Sequence, residues 1–163
     1  MRNSIAMIIA ALLASGATSA MAADNPADTS GLTAGWRLHP EGSHFLNPQG
    51  APKDIVWAIV FDTKHVHWNL VIIPQSGPPT FESFDNDLGA TPAPISGSQH
   101  QTSASVVLGS GAFTVKSTHA LGSIKESSST CALSDDKKQM SCKGQITKSD
   151  GSTSDFEVIY DRM

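Results

Sequence analysis

The 163-residue sequence predicts an all-β fold, an antiparallel up-and-down barrel of about eight to nine strands. Three observations lead there. Short segments in which apolar and polar residues alternate recur between clusters of Gly, Pro, Asn and Asp, the pattern of half-buried strands joined by turns. Beyond the N-terminal segment no stretch repeats apolar residues at i, i+3, i+4 and i+7, so little helix is expected. Residues 131–142 read as a hairpin about the polar tip Asp135-Asp136-Lys137-Lys138. That fold sets Leu133 opposite Met140 and Cys131 opposite Cys142, all on one face, because strand side chains alternate. Two directly opposed thiols are close enough for a disulfide.

The elements follow in order. Residues 1–22 have the form of a cleavable signal peptide: Arg2, an apolar run over 5–14, then Ala20-Met21-Ala22. The run is too short to span a bilayer as a free-standing helix. A periplasmic or secreted protein in an oxidising compartment is therefore expected. Residues 23–33 read as a flexible leader with almost nothing to bury, and 34–163 as the barrel domain. Trp36 and Leu38 share a face, and a Pro-rich connector occupies 39–52. Ile55, Trp57, Ile59 and Phe61 alternate on one strand, and Val66, Trp68, Leu70 and Ile72 on the next. Pairing about Thr63-Lys64 matches Phe61 with Val66 and Ile59 with Trp68, which places Trp57 and Trp68 on one face. The opposite face carries His65, His67 and Asn69, so the tryptophan face is the inner one. Residues 80–84 continue the sheet, and 85–98 read as a long Pro/Gly-rich loop. Strands are then expected at 103–108 and 112–116. A long strand should start near 121, with a bulge at Ser127-Ser128-Ser129, and further strands cover 140–147 and 153–160.

Several segments resemble a group of exported bacterial lipocalin-like proteins. Gly35-Trp36-Arg37-Leu38 with Ser43 and Phe45, then Pro52-Lys53, is similar to that group's opening G-x-W-K-L-N-x-x-x-S-x-F and following P-G-x-x-P-K. Phe84-Asp85, Pro94-Ile95-Ser96-Gly97, the hairpin Ser134 to Met140 and the closing Val158-Ile159-Tyr160 resemble its later motifs. Asp136 stands in place of the turn glycine, the 85–97 loop is longer, and the cysteine pair lies outside the pattern. The resemblance implies a lipocalin-like β-barrel and carries no catalytic signature.

Charge and motifs narrow the function. Loss of Arg2 with the signal takes the net charge from −4 to −5, and Lys137-Lys138 is the one basic pair that stands out. A nucleic-acid partner is disfavoured. His65 and His67 project from one strand face, but two ligands do not make a metal site, and His39 and His44 are not placed beside them. Asp85-Asn86-Asp87 resembles the start of a calcium loop yet lacks the later ligands. Gly109-Ser110-Gly111 lacks the spacing and context of a nucleophile elbow. No enzyme activity, cofactor or metal is expected. The reading is an exported non-enzymatic barrel that binds a small apolar or amphipathic molecule, with Trp57 and Trp68 as the binding residues. The alternative is a structural or protein-interaction module of the cell envelope with a filled core.

Overall fold

The alternating segments pair as successive hairpins. A computed structural model describes residue 29 and residues 31–46, 50–120 and 122–163. Its ten strands are β1 (Ala34–Leu38), β2 (Asp54–Phe61), β3 (His65–Ile73), β4 (Thr80–Asp87), β5 (Gly89–Pro94), β6 (Gln101–Gly109), β7 (Ala112–His119), β8 (Ile124–Leu133), β9 (Gln139–Lys148) and β10 (Thr153–Arg162). They form one antiparallel sheet in the order β4-β3-β2-β1-β10-β9-β8-β7-β6-β5. β1 thus lies between β2 and the last strand, with Trp36 opposite both Trp57 and Arg162. The curled sheet brings β4 and β5 to a seam, where Ser83 and Ser96 exchange two backbone hydrogen bonds of 2.9 Å. The result is a nearly closed barrel whose one described helical turn is the 3-10 segment Pro40–Gly42.

Ten strands replace the eight to nine expected. The additional one is β5, Gly-Ala-Thr-Pro-Ala-Pro, and Asp85 to Asp87 belong to β4, so the long loop expected over 85–98 is largely strand. Proline cannot donate to a ladder and is tolerated at sheet edges, and β5 is an edge strand. Its register with β6 shifts between Gly89 and Ala93. The bulge expected at Ser127-Ser128-Ser129 falls instead between Ile124 and Glu126, and the three serines pair regularly on both sides. At the hairpin tip the left-handed residue is Lys137, at φ 58°. Asp136 braces that turn by accepting hydrogen bonds from the Ser134 hydroxyl at 2.7 Å and the Lys138 N–H at 3.0 Å.

The predicted registers hold where they set the core. Cys131 faces Cys142, Leu133 faces Met140, Phe61 faces Val66 and Ile59 faces Trp68. One half of the barrel is packed solid with Trp36, Ile59, Val66, Phe84, Phe113 and Met140. Leu32, within the segment read as leader, is completely buried there. The Trp36 indole N–H donates to the Leu32 carbonyl at 3.2 Å, and the Arg162 guanidinium lies 5.6 Å over the Trp36 ring. Residues 31–33 therefore stop this end of the barrel. A single leucine among polar residues carries no periodic signal, which is why the sequence pattern misses it. The signal peptide 1–22 lies outside the described residues.

Outward positions carry His65, His67, Thr114, Lys116, Thr130 and Lys143, and the Thr114 and Thr130 hydroxyls bond at 2.9 Å. Most large apolar side chains of the strands face inward, while Val60, Phe81 and Val107 are exposed. Among the described residues no helix is long and apolar enough to cross a membrane.

The disulfide joins Cys131 and Cys142 with their Cα atoms 3.9 Å apart, on the inner face. Replacing both cysteines by alanine is expected to lower the free energy of unfolding by ~2–4 kcal/mol, read from urea denaturation. Thiol titration of the denatured, unreduced protein should find no free cysteine; two reactive thiols would contradict the pairing.

Candidate functional site: the barrel interior

Beyond the packed half the inward residues become smaller and more polar, and they leave a cavity of about 180 Å³. Trp57 of β2, Trp68 of β3, Tyr160 of β10 and the disulfide give it apolar lining, and Glu82, Gln101, Ser117, Ser127 and Ser129 form a polar wall in which Leu70 and Val115 are interspersed. Both sequence-predicted tryptophans thus line it together. Their rings meet edge to face at 5.8 Å, and Trp68 stacks on Phe84 at 4.2 Å. Trp57 also meets Tyr160 at 5.6 Å and Phe113 at 5.9 Å. Its indole N–H is buried with no hydrogen-bond partner among the described residues. Gly144 faces inward opposite Ser129 and Phe156; a Cβ there would come within 2.6 Å of the Phe156 ring. The absent side chain lets that ring lie across the wall.

The polar groups are only partly used by the protein. The Ser98 hydroxyl donates to one oxygen of Glu82 at 2.6 Å, and Ser98 in turn accepts the Gln101 N–H at 3.0 Å. His119 Nε2 and the Ser127 hydroxyl are 3.0 Å apart. Burial pushes the His119 pKa down, aided by neighbouring His100, so this imidazole is neutral at pH 7. Burial likewise pushes the Tyr160 phenol up and keeps it neutral. Among the described residues the side chains of Gln101, Ser117 and Ser129 make no hydrogen bond, and they remain available to a bound molecule.

The polar wall is what sequence reasoning missed, although alternation contains the signal. Glu82 has the parity of Phe84, Ser127 and Ser129 that of Cys131, and Ser117 that of Phe113. Phe81 sits in the opposite phase and is 66% exposed, whereas Glu82 is 8% exposed. A rule that sends apolar residues inward would have exchanged the two.

The outer histidines form a separate arrangement. His65 Nε2 lies 2.9 Å from Asp85 and His65 Nδ1 2.7 Å from Asp87; His67 Nδ1 lies 3.4 Å from Asp85. His39 pairs with Asp161 at 2.7 Å and His44 is held by backbone hydrogen bonds to Glu157, so neither joins them. Among the described residues no group of three or more His, Cys, Asp or Glu is placed to hold a metal. Desolvation works against protonating His65, but the hydrogen bonds and attraction of Asp85 and Asp87 outweigh it and raise its pKa. Asp85-Asn86-Asp87 is therefore the end of a strand bonded to its neighbour. Gly109-Ser110-Gly111 is the turn between β6 and β7, with Gly111 at φ 66°.

No protein-family model matches the chain, and no curated protein does. A solved structure is similar: that of zebrafish ileal bile acid-binding protein complexed with cholic acid. It aligns with a TM-score of 0.54 at 12% identity, covering 82% of this chain and 99% of that one. The likeness is one of fold. It agrees with the lipocalin-like barrel that the sequence motifs imply.

Two outcomes are expected. Trp68→Ala should destabilise the protein by ~3–5 kcal/mol, as for a large aromatic removed from a core, measured by denaturant unfolding. An unchanged midpoint would place Trp68 outside the load of the core. Because the folded pKa of His65 lies above the ordinary value of about 6.5, its pairing adds stability below that pH and loses it as pH rises through the raised value. The difference in Tm between the native protein and His65→Gln should be larger near pH ~5.5 than near pH ~8.5. A pH-independent difference would mean the pair is not coupled to folding.

Proposed function

We propose that this is an exported, non-enzymatic binding protein that takes a small amphipathic molecule into the barrel. One observation carries the reading: the interior is filled at one end and left open as a cavity of about 180 Å³ further along, between aromatic rings and unengaged polar groups. A filled barrel would continue its large apolar residues through these layers. Size bounds the ligand. An apolar cavity of ~150 Å³ accommodates benzene, so this one holds a single ring or a short chain, and a longer molecule would project from the open half. Trp57 and Trp68 would contact the apolar body and the serine wall the polar end. The fold likeness to a protein solved with cholic acid is consistent with such use of the interior.

The alternative of an envelope interaction module is favoured by the solid half of the barrel and by Phe81, which is largely exposed on the outer face. Titration of detergent-free protein with a one-ring apolar alcohol, followed by tryptophan emission, separates the two. Saturable quenching that is altered in Trp68→Phe is the expected result. Absence of quenching, together with a native mass spectrum free of any bound small mass, would favour the interaction module.

A further inference from the structure

We infer that the cavity selects a cationic ligand, a primary or secondary amine on a small apolar body, with Glu82 as the residue that receives its charge. The inference rests on the binding role proposed above and adds the chemical class. Its basis is the charge inventory of the wall. Glu82 is the only Asp, Glu, Lys or Arg among the described lining residues, and it is nine-tenths buried. Among the described residues no lysine or arginine lines the cavity, and His119 beside Ser127 is neutral at pH 7.

A desolvated carboxylate is costly unless charge or hydrogen bonds compensate it. The structure supplies one bond, from the Ser98 hydroxyl to Oε1 at 2.6 Å. Among the described residues Oε2 has no hydrogen bond, so the group retains acceptor capacity on an oxygen in the cavity wall. An ammonium group supplies both the countercharge and the donors. Trp68 adds to this: Leu70 pairs with Glu82 and Trp68 with Phe84, so Trp68 is the diagonal neighbour of Glu82 on the same inner face. A cation held at Glu82 therefore shares a cavity lined by Trp57 and Trp68. An acid would instead bring a second carboxylate into the same enclosed space, with no cation to receive it. The likeness in fold to a protein crystallised with cholic acid does not extend to the sign of the preferred ligand charge.

The test is a matched one-ring series, benzylamine, benzyl alcohol and benzoate, titrated at low salt into the native protein and Glu82→Gln by calorimetry. For the native protein the amine should bind about tenfold more tightly than the alcohol, and benzoate most weakly. In Glu82→Gln the amine should lose its advantage, so that the amine and the alcohol bind alike. Equal amine and alcohol affinities in the native protein, or a preference that survives Glu82→Gln, would overturn the inference and leave the binding role intact. Failure of all three to bind would instead remove the binding role, and the inference with it. Should Glu82→Gln fail to fold, Ser98→Ala decides, because it keeps the carboxylate and removes its partner: the amine preference should grow, and no change would count against Glu82.

Discussion

The pairing of β1 with β10 joins the first strand to the last, with Leu38 opposite Tyr160 and Trp36 opposite Arg162. Every other feature of the interior depends on that contact. Without it β1–β4 and β5–β10 are separate twisted sheets that meet along the short seam around Ser83 and Ser96. With it the period-two alternation of ten strands converges on one enclosed volume. The contact is reinforced just beyond β1. The Ser43 hydroxyl accepts the Ile159 N–H at 2.9 Å, and Asp161 accepts from the Gln139 amide at 2.9 Å while lying 2.7 Å from His39. Hydrogen bonds from His39 and Gln139 hold the Asp161 carboxyl below its usual range. Residues 39–44 are in this way tied to the strand that closes the ring.

Where the cavity falls is decided by residue volume, layer by layer. Around the level of Trp36 and Phe113 the inward positions are aromatic or branched. Further along β7, β8 and β9 they include Ser117, Ser127, Ser129 and Gly144, with Val115 and Ile146 as the branched residues among them. The disulfide sits between the two regimes, and its sulfur atoms replace two bulky side chains on adjacent strands. One wall of small residues facing one wall of rings leaves a gap that neither side can close.

The architecture and the tryptophan face were legible because both depend on parity within single hairpins. The hairpins over 55–72 and 131–142 have short polar tips, and a slip by one residue would turn their apolar sets outward. What was not legible depends on partners distant in sequence. β5 is a poor strand by composition and exists because β6 offers it an edge. Leu32 is core only because Trp36 and Arg162 arrive over it. Glu82 reads as an ordinary exposed strand residue until Phe84 is known to stack on Trp68, which fixes the phase of β4. Local alternation specifies faces, and long-range pairing decides what those faces enclose.

The position of β1 also orders events in time. The hydrogen bond between His39 and Asp161 spans 122 positions of sequence, and the β1–β10 ladder beside it is of the same range. Loop-closure entropy makes such contacts the last and slowest to form, after the local hairpins have assembled. Until residues 160–162 pair with it, β1 presents one open edge and β10 another, and the rings of Trp36 and Trp57 lack the far wall that covers them. A chain in that state is open to strand addition by its neighbours. The barrel therefore covers its open edges and encloses its cavity in one late step.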